Sequence, residues 1–220
     1  MMRTLRDLAR EALFQTRLRS AWFPRYDYMF SPAQLGFFTD AISRVAKAGG
    51  SIVEIGCAAG ATTLYFNRHL DEVAPSADYL CIDTFAGFTK EDVATEVNVR
   101  GKAAQLFDGF AINSKRWFDR TMKDAGVHRV RSIEGDINRI ELDQHVRQIS
   151  FCLVDVDLYR PVLAGLEKVL PLMTSPGIIV VDDVIDQNKF DGAFQAYHEF
   201  SKRIDRPARV VHGKLGIFET

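Results

Sequence analysis

Short apolar runs alternate with amphipathic helical patterns along most of this chain of 220 residues. Five of the runs have the length and apolar character of buried strands, and helical spacing of apolar residues follows them. The five runs are SIVEIG, DYLCID, VRSIEGD, ISFCLVD and GIIVVDD, and the segment ARVVHGKLGIFE has the pattern of a closing hairpin. This alternation predicts an α/β fold. We expect a doubly wound, mainly parallel seven-stranded sheet with helices on both faces and the hairpin as its antiparallel edge.

The first thirty residues stand outside this alternation. Residues 4–18 carry an imperfect helical stripe of apolar side chains, with arginines on the other faces. Such a helix can pack on the domain, pair with a second subunit in a homodimer, or touch a membrane surface; Asp7 and Glu11 disfavour the membrane. The chain length suits one domain with a modest extension. We therefore predict a helical extension and lid at 1–30 and a main domain at 31–220. The stripe comprises Leu5, Leu8, Leu13, Phe14 and Leu18.

Two helical segments of the main domain can be placed in more detail. Ser31 and Pro32 predict a helix start, as N-cap and first helical position, and Gly49-Gly50 predicts its end. Residues 92–125 are predicted to be mostly helical. The apolar stripe of the first helix is Leu35, Phe38, Ile42 and Val45, and the expected anchors of the second segment are Phe107, Phe110, Trp117 and Met122.

Charge and cysteine usage exclude several classes of partner. The net charge is −1, so no global field favours nucleic acid or anionic lipid. No run approaches 18 apolar residues, and the N-terminus lacks the apolar core of a secretory signal. The three cysteines, Cys57, Cys81 and Cys152, are predicted to be buried reduced thiols. We expect a cytoplasmic protein with neither nucleic acid nor a membrane as its partner.

The turn after the first predicted strand carries glycines in the sequence VEIGCAAGATT. A dinucleotide fingerprint fails there because Ala58 and Ala61 occupy two of its three glycine positions. The S-adenosylmethionine (SAM) pattern E/D-x-G-x-G-x-G fits better, with Glu54, Gly56 and Gly60 matching and Ala58 departing. A purely structural glycine turn is the alternative. If the turn binds a ligand, the following helix presents its N-terminal N–H groups to it.

Acidic residues end the next two strands. Asp83, in YLCIDTFAGF, is placed to accept hydrogen bonds from ribose hydroxyls. Asp136, after Gly135 in IEGD, is placed to meet an adenine amino group. Each aspartate can instead cap local backbone N–H groups of its own loop.

Three further aspartates end the fourth and fifth strands. Asp155 follows ISFCLV and Asp182-Asp183 follow GIIVV. Consecutive strands of a doubly wound sheet are often neighbours, so these carboxylates are expected to share one edge. Their mutual repulsion would be relieved by a hard divalent cation, and Mg²⁺ prefers such oxygen ligands. Helix caps and loop salt bridges are the alternatives, and Asp157 is placed to cap the helix that contains Pro161.

Taken together, the run VEIGCAAG…CIDTFAGF…IEGD…LVDVDLYRPVLAGLEKVLPLMTSPGIIVVDD resembles class I SAM-dependent methyltransferases. Among them it is similar to the macrocin and mycinamicin sugar O-methyltransferases, relatives of the catechol and caffeoyl-CoA O-methyltransferases. The resemblance covers roughly residues 30–218. It implies a Rossmann-like methyltransferase domain, a Mg²⁺ ion on Asp155, Asp182 and Asp183, and a small-molecule or saccharide acceptor. It implies SAM contacts from Glu54, Gly56, Cys57, Gly60, Asp83, Thr84, Phe85, Gly135, Asp136 and Asp155.

One departure from the catechol enzymes concerns the proton acceptor. Those enzymes carry a lysine base three residues after the first metal aspartate, where this chain has Leu158. Either the metal suffices or the base lies elsewhere. Candidates are Asp157, Tyr159, His198 and His212, and the catalytic prediction names Asp155 and Asp157.

The aromatic segment 22–30 is predicted to form part of a lid or acceptor pocket. Trp22, Tyr26 and Tyr28 would stack on a sugar or aryl ring there. Packing of these rings in the core is an equally open alternative.

The leading functional hypothesis is a Mg²⁺-dependent O-methyltransferase. A metal-independent methyltransferase and a non-catalytic SAM-binding partner protein are the alternatives. A nucleic-acid methyltransferase is disfavoured because the chain has neither a basic stripe nor a [D/N]-P-P-[Y/F] motif.

Overall fold

The computed structural model describes residues 4–17, 26, 28–107 and 111–220. Its sheet has seven strands in the order β3-β2-β1-β4-β5-β7-β6. Strands β1 to β5 are parallel, and β7 pairs antiparallel with both β5 and β6. The strands are β1 (Ser51–Ile55), β2 (Tyr79–Asp83), β3 (Val130–Glu134), β4 (Ile149–Val154), β5 (Met173–Val181), β6 (Val210–Val211) and β7 (Leu215–Glu219). The predicted doubly wound, mainly parallel sheet with an antiparallel hairpin edge is confirmed.

Seven α-helices connect or flank these strands in the described residues. They are α1 (Leu5–Phe14), α2 (Pro32–Val45), α3 (Ala61–Val73), α4 (Lys90–Asn98), α5 (Lys115–Asp124), α6 (Tyr159–Val169) and α7 (Asp191–Arg203). Short 3-10 turns occur at Ala104–Phe107, Leu142–Gln144 and Leu170–Leu172. None of the helices in the described ranges has the length and apolar character needed to cross a membrane.

The core has two layers, one on each face of the sheet. Helices α2, α3 and α5 cover one face, where Phe38 and Phe66 are fully buried and their rings meet edge to face at 5.3 Å. Helices α6 and α7 cover the other, around Leu166 and Tyr197. Burial on both faces explains why the strand sequences are almost continuously apolar.

Helix α2 begins as predicted. The Ser31 hydroxyl accepts from the Gln34 N–H and the Gln34 side chain accepts from the Ser31 N–H, which is a complete capping box with Pro32 in the first turn. The predicted stripe of Leu35, Phe38, Ile42 and Val45 is buried. The three cysteines are also buried and free, as predicted.

Several local predictions need correction. Trp117 is 58% exposed and is not part of the described core, whereas Phe107 and Met122 are buried; Phe110 lies outside the described residues. Helix α6 begins two residues before Pro161, and the preceding Leu158 offers no side-chain cap. The Tyr159 N–H donates instead to Glu96 of α4 at 2.8 Å, so Asp157 does not cap this helix.

The N-terminal helix α1 forms but buries none of its residues. Leu5 is 86% exposed and Leu8 is 51% exposed, so these two side chains are not buried on the domain, which was one of the three uses considered for this helix. Leu5 and Leu8 therefore expose much of their side chains to solvent. Leu18 and Trp22 of the predicted extension lie outside the described residues.

Candidate active site

A cavity of about 460 Å³ opens at the carboxyl ends of the parallel strands. Ligands of doubly wound sheets bind at this edge, beside the point where the strand order reverses, which here lies between β1 and β4. Turns following β1 to β5 line the cavity, together with residues 29–30 and Lys214. All residues predicted to bind cofactor or metal line it except Gly60 and Phe85.

Close packing explains the first glycine of the turn after β1. Gly56 has φ +87°, and a Cβ there would lie 1.8 Å from the backbone oxygen of Asp155. The Gly56 N–H also donates to the Ile82 oxygen at 2.8 Å. No side chain can be accommodated at this position. Gly60 has φ +90° and is the N-cap of α3 without a side-chain cap, so N–H groups of the first turn are available to a ligand.

Asp83 ties this turn to the turn after β2. Its Oδ2 accepts from the backbone N–H of Cys57 at 2.9 Å and of Ala58 at 2.8 Å, and its Oδ1 accepts from that of Phe85 at 2.7 Å. The capping role considered for Asp83 is therefore present. A carboxylate offers about four acceptor positions, so capacity for a ribose hydroxyl remains and that contact stays a prediction.

Two non-glycine residues beside Asp83 have left-handed backbone. Ala58 has φ +44° and Phe85 has φ +50°, a region that residues with a Cβ adopt uncommonly. This explains why the SAM pattern has glycine at the position of Ala58. Phe85 is buried with its ring 5.3 Å from that of Phe118, and the Thr84 hydroxyl donates to the Gly87 oxygen at 2.6 Å. Phe85 and Thr84 thus stabilise the turn after β2, and Thr84 also lines the cavity.

Glu54 is a buried acid at the base of the glycine turn. Its Oε2 accepts from the Thr63 hydroxyl at 2.6 Å and from the Tyr79 hydroxyl at 2.8 Å. Burial raises the pKa of Glu54 to about 7, although these two hydrogen bonds oppose the rise. The carboxyl joins β1 to α3 and β2. Burial also raises the pKa of the neighbouring Cys57 thiol, which makes it a poor nucleophile.

Gly135 and Asp136 follow β3 at the cavity wall. Oδ1 of Asp136 accepts from the backbone N–H of Asn138 at 2.9 Å and from its Nδ2 at 2.7 Å. Asp136 is thus a turn cap, the alternative considered for it. Its position on the cavity keeps the adenine contact as a prediction.

Backbone pairing brings the strand-end aspartates together. Val154 pairs with Val181 in neighbouring strands, and the Asp182 N–H continues the ladder by donating to the Val154 oxygen at 3.0 Å. Asp155 and Asp182 therefore follow directly on adjacent strands, as the sequence predicted. Asp157 and Asp183 also line the cavity and have φ +61° and +55°. Such strained backbone is typical of functional sites.

Electrostatics within this acidic cluster of Asp155, Asp157, Asp182 and Asp183 favour protonation or a bound cation. Burial, together with the charges of Asp182 and Asp157, raises the pKa of Asp155 well above its usual range. Burial and the charge of Asp183 raise the pKa of Asp157 to about 8. Burial raises the pKa of Asp182 to about 6, opposed by Lys214. Each ionised carboxylate in such a cluster disfavours ionisation of its neighbours unless a positive charge compensates.

Lys214 is the cation of this cluster that sequence reasoning missed. Its Nζ lies 2.6 Å from Oδ2 of Asp182 and 3.2 Å from Oδ1 of Asp183. Burial lowers the pKa of Lys214, but the carboxylates outweigh this effect and the net pKa is raised. Only the pairing of β7 beside β5 brings Lys214 here, and no local motif signals it.

The donor atoms of the cluster suit Mg²⁺ by chemistry. Oδ1 of Asp182 is buried without a hydrogen-bond partner, and hard carboxylate oxygens are the ligands that Mg²⁺ prefers. Within the described residues, however, no three acidic, histidine or cysteine side chains are arranged around one point as metal ligands. A divalent cation would therefore require the carboxylates to reorient and the ion pairs of Lys214 to open.

Three of the four candidate bases lie away from the cavity. The Tyr159 hydroxyl donates to Glu199 at 2.6 Å. The His198 ring packs 4.3 Å from Phe194, and the His212 ring packs beside Phe37. None of these three lines the cavity, whereas Asp157 does.

Aromatic and apolar side chains form another part of the cavity wall. Phe88 and Phe190 line the cavity with ring centroids 5.8 Å apart, and Met29 and Phe30 border it. Tyr28 does not line it and packs edge to face on Tyr65 at 5.5 Å. Residues 29 and 30 thus lie at the cavity, where a lid or acceptor pocket stays a prediction, while Tyr28 follows the core-packing alternative.

Comparison with known proteins agrees with this geometry. A family model described as a methyltransferase domain matches residues 53–184, more than half of the chain. A search of curated protein sequences gave no significant match. The match spans β1 to the end of the acidic cluster, so it includes the glycine turn, Asp83 and the strand-end aspartates.

Solved structures share the fold at low sequence identity. The O-methyltransferase NovP is 15% identical, with a TM-score of 0.70 over 90% of this chain and 84% of that one. The calicheamicin methyltransferase CalS11 is 19% identical, with a TM-score of 0.71 over 100% of this chain and 94% of that one. An apo structure of CalS11, described as a TDP-rhamnose 3'-O-methyltransferase, gives a TM-score of 0.59 at 19% identity, over 100% of this chain and 96% of that one.

The family match, the glycine turn and the doubly wound sheet lead to the same conclusion. This chain belongs to the methyltransferase-domain family and is a class I SAM-dependent methyltransferase.

Proposed function

We propose that this enzyme transfers the methyl group of SAM to a hydroxyl of a small molecule or saccharide, with Mg²⁺ held by Asp155, Asp182 and Asp183. The observation that carries the proposal is the presence of the glycine turn and the acidic cluster in one cavity. The fold neighbours NovP and CalS11, named as an O-methyltransferase and a TDP-rhamnose 3'-O-methyltransferase, support oxygen as the acceptor atom and a sugar as its carrier.

Two groups of residues in the cavity suit the two substrates. The methyl donor would lie along the turns after β1, β2 and β3, with its ribose near Asp83 and its adenine near Asp136. The acceptor would lie between the acidic cluster and the aromatic wall of Phe88 and Phe190. Aromatic faces suit sugar and aryl rings alike. Proximity and alignment of the two substrates then supply much of the rate.

Asp157 is the proposed proton acceptor. The acceptor oxygen forms the new O–CH₃ bond while the S–CH₃ bond of the donor breaks, and the hydroxyl proton passes to the Asp157 carboxylate. S-adenosylhomocysteine and the methyl ether are the products. In the metal-independent reaction the raised pKa of Asp157, about 8, makes its carboxylate a stronger base than an ordinary aspartate; a bound Mg²⁺ would offset the charges of Asp182 and Asp183 that help to raise it. A bound Mg²⁺ would lower the pKa of the acceptor hydroxyl.

The metal-independent reaction is the second candidate, and one observation favours it. Lys214 already neutralises part of the charge on Asp182 and Asp183 through two ion pairs. In that case Asp155 and Asp157 act without a metal. Methyl transfer that survives complete chelation of divalent cations would select this candidate.

The first test is calorimetric. S-adenosylhomocysteine and then Mg²⁺ are titrated into the wild type, Asp182→Asn and Asp186→Asn. Asp182→Asn removes a cluster carboxylate while keeping its shape, and Asp186→Asn removes an exposed carboxylate nearby as the matched control. We expect all three to bind the nucleoside at micromolar concentration, and only Asp182→Asn to lose the Mg²⁺ heat.

The acceptor is tested in parallel by following S-adenosylhomocysteine release with a nucleotide-linked deoxysugar, a vicinal diol and a catechol. Release with any of these, and O-methylation of the product by mass spectrometry, would support the proposal. Failure of the wild type to bind the nucleoside would refute the cofactor assignment. Equal Mg²⁺ heats in all three proteins would refute the metal site.

We also propose a cytoplasmic homodimer in which the exposed apolar residues of α1, such as Leu5 and Leu8, meet a second subunit. Sedimentation of the wild type and of Leu5→Ser/Leu8→Ser tests the dimer.

A further inference from the structure

The position of Lys214 is fixed by the backbone. It follows Gly213 in the turn of the β6–β7 hairpin, where Gly213 has φ +81°. The Lys214 oxygen accepts from the Val184 N–H at 2.9 Å, and Val181 pairs with Gly216 in the antiparallel ladder. Lys214 is therefore carried to the end of β5, beside Asp182 and Asp183, by the register of the sheet.

The Lys214 side chain is enclosed as well as paired. Only 17% of it is exposed. Its Nζ lies 4.8 Å from the ring centroid of Phe30, within cation–π range. Two carboxylates and one aromatic face thus surround the ammonium group. Such a group has given up most of its water, and it depends on its carboxylate partners for compensation.

The same carboxylates are those that a divalent cation would use. Lys214 occupies Oδ2 of Asp182 and Oδ1 of Asp183, while Oδ1 of Asp182 is buried without a partner. An ammonium and a divalent cation held by one pair of carboxylates repel each other at close range. The two cations therefore compete for this pair.

We propose that Lys214 is an internal competitor of the divalent cation, which occupies Asp182 and Asp183 when no metal is bound and thereby weakens metal binding. This inference rests on the metal part of the proposed function. It assigns Lys214 the role of a positioning residue that sets the cation affinity of the cavity. Methyl transfer then requires a higher concentration of free divalent cation than the same aspartates would require without Lys214.

Binding of Mn²⁺, followed by the loss of its free electron paramagnetic resonance signal, tests this role without measuring activity. The variants are Lys214→Met, which keeps the length of the side chain without its charge, and Lys214→Arg, which keeps the charge. Lys189→Met is the matched control, because Lys189 is an exposed lysine whose Nζ lies over the Phe190 ring. Lys214→Gln is a second neutral variant.

We expect the two neutral variants to bind Mn²⁺ roughly tenfold or more tightly than the wild type, from the repulsion between a single and a double charge about 4 Å apart. Lys214→Arg and Lys189→Met should bind it as the wild type does. Loss of the charge dependence, with equal Mn²⁺ affinity in the wild type and both neutral variants, would overturn the inference. So would Mn²⁺ binding to none of them, since pairing with Lys214 would then not be what limits the site.

Titration of S-adenosylhomocysteine into each variant separates this inference from the proposed function. Normal nucleoside binding in all variants shows that the fold and the cofactor site are intact. If nucleoside binding is absent in the wild type, the proposed function fails whatever the Mn²⁺ result. If it is present and Mn²⁺ affinity does not depend on the charge at position 214, only the competition fails.

Discussion

Replacing Glu54 by Gln should remove a large pH dependence from the stability of this enzyme. Glu54 is 1% exposed and lies between the hydroxyls of Thr63 and Tyr79. Burial raises its pKa from the ordinary 4.5 to about 7. Because the folded protein binds this proton more tightly than the unfolded chain does, the stabilising contribution is complete below pH 4.5. It is lost as the pH rises through 7.

The size of the effect follows from the two pKa values. The interval from 4.5 to about 7 corresponds to about 3 kcal/mol of unfolding free energy. Gln keeps an oxygen that can accept from Thr63 and Tyr79, and it carries no charge at any pH. The free energy of unfolding of Glu54→Gln, relative to the wild type, should therefore rise by about 3 kcal/mol between pH 4.5 and pH 8.

Urea unfolding at pH 5, 6, 7 and 8 measures this difference. Glu134→Gln serves as the control, because it removes an exposed carboxylate from the neighbouring part of the sheet. The control should change stability by the same small amount at each pH. Curves for Glu54→Gln and the wild type that stay parallel from pH 5 to pH 8 would refute the argument, since burial of the carboxyl would then not control its protonation.

Two further changes test the glycine turn by urea unfolding. Gly56→Ala should destabilise the protein by about 3 kcal/mol or more and abolish nucleoside binding, because its Cβ would meet the Asp155 oxygen; a soluble variant of normal stability would contradict this. Ala58→Gly should leave stability unchanged or raise it by up to about 1 kcal/mol, because release of left-handed strain offsets the added freedom of the unfolded chain. A clear loss of stability would show that the methyl group of Ala58 matters more than its backbone.

The architecture could be predicted because local patterns in the sequence indicate most of its strands and helices. Continuous apolar runs marked the strands that are buried on both faces, and Ser31-Pro32 marked the start of α2. Prediction failed where a distant residue supplies the partner. The N–H group of Tyr159, in the first turn of α6, donates to Glu96 on another helix, so the predicted cap by Asp157 is absent. Trp117 has the right spacing for the core, yet it faces solvent on α5.

In the candidate site, too, some features could be predicted from the sequence and others could not. The residues at strand ends, such as Asp83, Asp155 and Asp182, could be placed on one edge from the fold alone. Which of its possible partners each carboxylate binds could not be decided from the sequence, because the N–H groups that Asp83 accepts from belong to two turns that only the folded sheet brings together. Lys214 could not be predicted either, since it reaches the cluster only through the antiparallel pairing of β7 with β5.

That pairing has a consequence for synthesis of the protein. β5 lies between β4 and β7 in the sheet, but α7 and β6 separate β5 from β7 along the chain. A nascent chain that has emerged only as far as α7 therefore exposes one edge of β5, whose residues 178–181 are Ile, Ile, Val and Val. An apolar open edge of this kind is a template for mispairing with other chains. We expect the nascent enzyme to need protection by chaperones until β7 has left the ribosome. Pairing of β7 with β5 then also brings Lys214 to the acidic cluster.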